Sequence, residues 1–106
     1  MPPDSGLVLR VEDSLLGLGE HARQKNVFGG RGFLFGKSTF AIVWGDSLLV
    51  KTTKAEYPRL RLEAGVQPFA PAGERPMSTW LVVDAAAIAD DPELTEWLRR
   101  ALRSVR

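Results

Sequence analysis

The sequence predicts an α+β fold of two layers: one antiparallel sheet with helices packed on it, in the order α-β-β-β-α-β-β-α. Three observations predict it. Apolar residues recur at three- and four-residue spacing near both ends, as in Val8, Val11 and Leu15 and again in Leu94, Trp97, Leu98 and Ala101, the stripe of an amphipathic helix. Between them lie short runs rich in β-branched and aromatic residues, such as Thr39 to Trp44, the composition of strands. Two-residue turn signals, Gly36-Lys37 and Gly45-Asp46, separate three of those runs and so join them as an antiparallel meander.

Taken in order, Asp4 or Ser5 caps the first helix, whose stripe is Val8, Val11, Leu15 and Leu18, widened by Leu7 and Leu16 and stopped near Gly19. Residues 20–26 read as a polar connector. The first strand is expected near Phe33-Leu34-Phe35, and Gly36 stands first in its turn, as a type II′ turn requires. The second strand runs from Ser38 to Trp44; simple alternation puts Phe40, Ile42 and Trp44 on one face and Thr39, Ala41 and Val43 on the other. The third, from Ser47 to Thr52, puts Leu48 and Val50 opposite Leu49 and Lys51. Thr53 and Glu56 have capping-box spacing. Pro58 confines the helix that follows to a short one or to a start near Tyr57, with Leu60 and Leu62 as its apolar contacts and Gly65 as its stop. Val66 to Phe69 is an edge-strand candidate because of Pro68. Residues 71–76 form a turn-rich loop, and Met77 to Val83 a strand. Asp84 caps one or two helical turns. Asp91 caps the last helix, with Pro92 at its first position and Arg99, Arg103 and Arg106 near its C-terminus, where positive charge is favoured.

With 106 residues the chain is read as one domain, 1–106. A net charge of +1 gives no electrostatic argument for nucleic acid or an anionic membrane. The absence of cysteine excludes disulfides, thiol nucleophiles and thiolate metal sites. The N-terminus lacks a signal-peptide pattern and no apolar run reaches membrane-spanning length. The expectation is a cytoplasmic protein without a membrane partner.

The densest feature is Val27 to Ser38, with four glycines and three phenylalanines in twelve residues. It is not a phosphate loop. Counting back from Gly36-Lys37-Ser38, the first glycine of that motif falls at position 31, which is Arg31. The dinucleotide fingerprint fails as well, because Phe35 stands where a third small residue belongs. Both motifs open a helix, whereas Thr39 to Trp44 reads as a strand. The stretch is better read as a glycine-rich entry into a hairpin.

The ordered set Phe28-Gly29-Gly30, Gly32-Phe33, Phe40-Ala41, Leu48-Leu49-Val50-Lys51, Gly65 with Pro68-Phe69, Arg75-Pro76-Met77, and Leu94 to Trp97 with Ala101 resembles the TfoX/Sxy N-terminal domain family, small domains related to bacterial competence regulators. The likeness runs from about residue 7 to the end. Asn26-Val27 stand where the family usually has a basic residue and Met. The resemblance implies a secretion-chaperone-like fold, α-β3-α-β2-α, and a member made of this domain alone, without the C-terminal domain that competence regulators carry. It implies no catalytic residues.

On the residues themselves, no catalytic site, metal site or cofactor is expected. His21, the one histidine, has no cysteine to activate and reads as a solvated linker residue. The serines lack a nucleophile elbow, and no carboxylates pair for acid–base work. Arg59, Arg61, Arg75, Arg99, Arg100, Arg103 and Arg106 share their segments with Glu56, Glu63, Glu74, Glu93 and Glu96 and read as a solvated, balanced face. Trp44, Trp80 and Trp97 read as core. Phe28, preceding a double glycine, is expected to be partly exposed. The candidate interaction residues are therefore Phe28, Gly29, Gly30, Arg31, Gly32, Arg75, Pro76 and Met77. The leading expectation is a non-enzymatic interaction or regulatory domain with a protein partner or a second copy of itself, the strands being apolar on both faces. The alternatives are a nucleic-acid-associated transcriptional regulator and a binder of a small anion at Gly29, Gly30 and Arg31 beside Arg75.

Overall fold

Helix α1 (Ser5–Gly17) starts at Asp4, whose carboxylate accepts from the Gly6 amide at 3.3 Å, satisfying one of the unpaired first-turn donors. It ends as the sequence asks. Gly19 adopts φ 81°, and the Glu20 and Gly19 amides donate back to the Leu15 and Leu16 carbonyls at 2.9 Å each, the double closure that a left-handed residue after the helix allows. Leu7, Val8, Val11 and Leu15 are buried. Leu16 is not: it stands half-exposed, one position off the stripe, where the wider expectation had placed it inward.

The computed structural model describes residues 1–71 and 75–106. Its strands are β1 (Arg23–Val27), β2 (Gly30–Phe35), β3 (Ser38–Trp44), β4 (Ser47–Lys51), β5 (Val66–Pro68) and β6 (Trp80–Val83). They form one antiparallel sheet in the order β1-β2-β3-β4-β6-β5. A short helix α2 (Tyr57–Leu60) precedes β5; a 3-10 turn (Ala85–Ile88) and helix α3 (Asp91–Arg103) follow β6. The architecture is α+β with helices on one face of a single sheet, as predicted. One strand is additional. Residues 23–26, expected as part of the connector, form β1 together with Val27. Four of its five side chains are exposed, so the segment has none of the apolar alternation by which a half-buried strand announces itself; it is an edge strand held by pairing to β2.

The helix-side core gathers α1 and α3 residues against Phe33, Phe40, Ala41, Val43, Leu48, Val50, Leu81 and Val83. Phe40 lies on the face opposite to the one simple alternation assigns. Phe33 pairs with Ala41 but Leu34 pairs with Thr39, so Phe40 is the extra residue of a β-bulge. The bulge turns two consecutive side chains, Phe40 and Ala41, toward the helices, and both are fully buried.

The remaining departures are local. Thr53 and Glu56 form half of the expected box, the Glu56 amide donating to Thr53 Oγ1 at 3.1 Å, while the Thr53 hydroxyl donates to Glu56 Oε1 at 3.2 Å; they close the turn before α2 rather than capping it. Pro58 sits in the first turn of α2, where its missing N–H costs nothing. Leu60 is buried, whereas Leu62 lies beyond the helix and is 77% exposed. β6 begins three residues later than expected because Thr79 takes φ 65° and the Trp80 amide turns back to the Met77 carbonyl at 3.2 Å. Asp84 caps its turn through the Ala87 amide at 3.0 Å. The residue before α3 is Asp90 rather than Asp91; Asp91 instead accepts from Arg10 Nε at 3.1 Å.

Candidate functional site

The glycine-rich stretch resolves into a tight hairpin. Val27 pairs with Gly30, leaving Phe28 and Gly29 as a two-residue loop with φ 54° and 79°. Two successive positive φ angles are what a type I′ turn demands, and Asn-Gly is its usual sequence. Gly29 suits its position. Phe28 does not: a bulky residue in the left-handed region is an outlier. Gly30 is required for a different reason. A Cβ there would lie 2.3 Å from the Val43 carbonyl oxygen, a backbone atom that cannot move aside.

The Phe28 backbone is held by the neighbouring strand. Trp44 Nε1 donates to the Phe28 carbonyl at 3.2 Å. The Phe28 ring, 49% exposed, meets Phe69 edge-on with centroids 5.6 Å apart, and Phe69 meets Trp44 in the same way at 5.7 Å. Both distances fall in the attractive range for T-shaped pairs. Phe69 itself is buried, with Ile42 and Leu49 on the sheet face away from the helices, and Val27, Trp44, Met77, Trp80 and Val82 pack half-buried around them. Backbone bonds just beyond β5 and before β6 hold Phe69 and Met77 at this face: the Phe69 amide donates to the Trp80 carbonyl at 3.0 Å and the Met77 amide to the Phe69 carbonyl at 2.8 Å. An aromatic corner results, with Phe28 at its outer tip.

The corner brings together two segments that lie far apart in the sequence. Phe28 and Met77 converge on Phe69. Arg75 and Pro76, which lead into Met77, are exposed. Arg31 goes elsewhere. It leaves the sheet on the helix side, donates to Gln24 Oε1 at 3.0 Å, and lines a hollow of about 350 Å³ with Pro3, Ser5, Val8 and Leu9. Gly32 presents its bare face to the Val27 side chain. The sequence reading placed Trp44 and Trp80 in the core; they are half-buried walls of the corner, and the Ile42–Trp44 alternation carried that signal. Trp97 is buried as expected.

Five of the seven arginines of the expected balanced face meet carboxylates; Arg61 and Arg75 form no ion pair among the described residues. Arg59 and Arg103 reach Glu56, Arg99 reaches Glu96, Arg100 reaches Glu63 and Glu96, and Arg106 pairs with Glu20. Glu74 lies outside the described residues. The hydrogen bond from Arg103 at 2.7 Å, aided by its charge, by Thr53 and by Arg59, holds the Glu56 carboxyl below the ordinary glutamate value against the opposing effect of burial. His21 is exposed and borders a cleft of about 210 Å³ with Glu12, Glu20 and Gln24. Among the described residues no helix is long and apolar enough to cross a membrane.

A family model, the TfoX N-terminal domain, matches residues 5–105. No curated protein and no solved structure matches the chain.

Proposed function

The chain belongs to the TfoX N-terminal domain family, and from that premise we propose that it is a non-enzymatic interaction domain of the competence-regulator type, docking a protein partner in the cytoplasm at the aromatic corner around Phe28. The observation that carries this reading is Phe28 itself. Its backbone occupies a left-handed position that Asn or Gly would fill more cheaply, at φ 54°, and about half of its ring faces solvent. This conformation costs about 1–2 kcal/mol and is braced by Trp44 and Phe69. Strain of this kind gathers at binding sites, where it pre-sets a side chain for contact, and exposed aromatic tips anchored in a rigid frame are typical interface hot spots.

The other readings draw less support. Arg31 is engaged with Gln24 on the helix side, away from the corner, so an anion site joining it to the Phe28 turn lacks its arginine. The carboxylates that meet Arg59, Arg99, Arg100, Arg103 and Arg106 leave little positive field for nucleic acid.

Immobilised wild-type protein and its Phe28→Asn variant, exposed to lysate of the native host, test the reading. The expected result is a discrete protein retained by the wild type and lost from the variant while both melt cooperatively. The same retained set on both, or none on either, would overturn it.

A further inference from the structure

The geometry points to the outer edge of β1 as the place where the domain takes up an extended acidic segment of a partner protein, added to the sheet as a further strand. The sheet has two edges, β1 and β5. β5 has three residues and ends in Pro68, which has no N–H to offer, so that edge is closed to pairing in the way natural sheets close their edges. β1 has five residues and no proline. Its loop is a two-residue hairpin closed at Val27–Gly30, which makes Val27, Lys25 and Arg23 the residues that exchange hydrogen bonds with β2. The amides and carbonyls of Gln24 and Asn26 therefore point outward, and among the described residues no backbone group bonds them.

The charge of this edge selects the occupant. Arg23 and Lys25 project from the same face as Val27, with the bare Gly32 opposite Lys25. Neither cation is in an ion pair among the described residues, and β1 carries no carboxylate. A second copy is a poor partner, since the register that pairs the whole strand with itself sets Lys25 directly against Lys25, and like charges facing each other across strands are destabilising. A strand with Asp or Glu at alternate positions meets both cations, and main-chain bonding supplies the affinity while these side chains supply the selectivity. On the same face an apolar residue beyond the acidic pair falls beside Val27, next to the Phe28 corner.

This inference rests on the domain being a protein-binding module, but not on Phe28. The test uses two peptides of about ten residues, one alternating Glu with Thr and one alternating Lys with Thr, titrated into the isotope-labelled full chain. The expected result is saturable binding of the Glu peptide with slowed hydrogen exchange at the Gln24 and Asn26 amides. The doubly substituted Arg23→Glu, Lys25→Glu chain should bind the Glu peptide about tenfold more weakly and prefer the Lys peptide. No binding, equal binding of both peptides, or binding that leaves those two amides fast overturns the proposal. If the substituted chain does not fold, the exchange measurement on the wild type decides alone. Failure here with continued loss of partner capture in Phe28→Asn removes the edge site and leaves the module reading standing.

Discussion

Replacing Phe28 by Ala and by Asn separates what its ring contributes from what its backbone costs. Both variants lose the edge contact with Phe69, about 0.5–1.5 kcal/mol, and about half the burial of a phenylalanine, roughly 1 kcal/mol. Loss of the ring alone should therefore cost about 2 kcal/mol. The two variants differ in the left-handed backbone at φ 54°. Ala retains most of the steric penalty because it keeps a Cβ, whereas Asn tolerates this region and with Gly29 completes the favoured Asn-Gly turn. Phe28→Asn should be more stable than Phe28→Ala by about 1 kcal/mol, which for a domain of this size is a gap of about 4–8 °C in melting temperature. Urea denaturation of the three proteins at neutral pH measures it. Equal stability of the two variants would refute the strained turn. A loss near 4 kcal/mol in both, the cost of truncating a core phenylalanine, would refute the half-exposed ring.

Three further outcomes follow from the same structure. Gly30→Ala should destabilise by about 1–3 kcal/mol, because its Cβ meets the Val43 carbonyl oxygen at 2.3 Å; a thermal melt unchanged within about 1 °C would contradict the close approach. Phe40→Ala should cost about 3–5 kcal/mol, since the bulge buries that ring under the helices, and a loss below about 1 kcal/mol would mean that the ring faces the open side. Glu56→Gln should weaken the fold by about 1 kcal/mol at neutral pH and flatten its acid limb. The folded carboxyl titrates below its ordinary value, so its contribution is fully present above about pH 4.3 and is lost as pH falls through the depressed value; a variant with an unchanged acid limb would contradict the Arg103 pairing.

Much of the fold was legible because most elements obey local rules. The α1 and α3 stripes, the Gly36 and Gly45 turns, the Asp84 cap and the edge position forced by Pro68 are each written in a few adjacent residues. What was not legible depends on neighbours far away in sequence. β1 is held by pairing rather than burial, so Arg23, Gln24, Lys25 and Asn26 look like a connector. Phe40 obeys alternation until a bulge, set by the register against β2, rotates it. Thr79 shortens β6 through a backbone angle that no residue-type rule assigns to threonine. The site divides in the same way. Partial exposure of Phe28 followed from its place before a double glycine. Its meeting with Phe69 required the residue just beyond β5 to pack on the open face, and the departure of Arg31 to the other side followed from strand register, which sequence spacing alone did not settle.

The proposed function places a partner protein against the tip of the aromatic corner. The most direct measurement places a photo-crosslinking benzoyl-phenylalanine at position 28 in living cells of the native host. The same group at Phe35 is the control, since Phe35 is also an exposed aromatic but lies at 38% exposure beside Arg106. One discrete crosslinked protein is expected from position 28 and none from position 35. No adduct at position 28, or the same adducts from both positions, would contradict it.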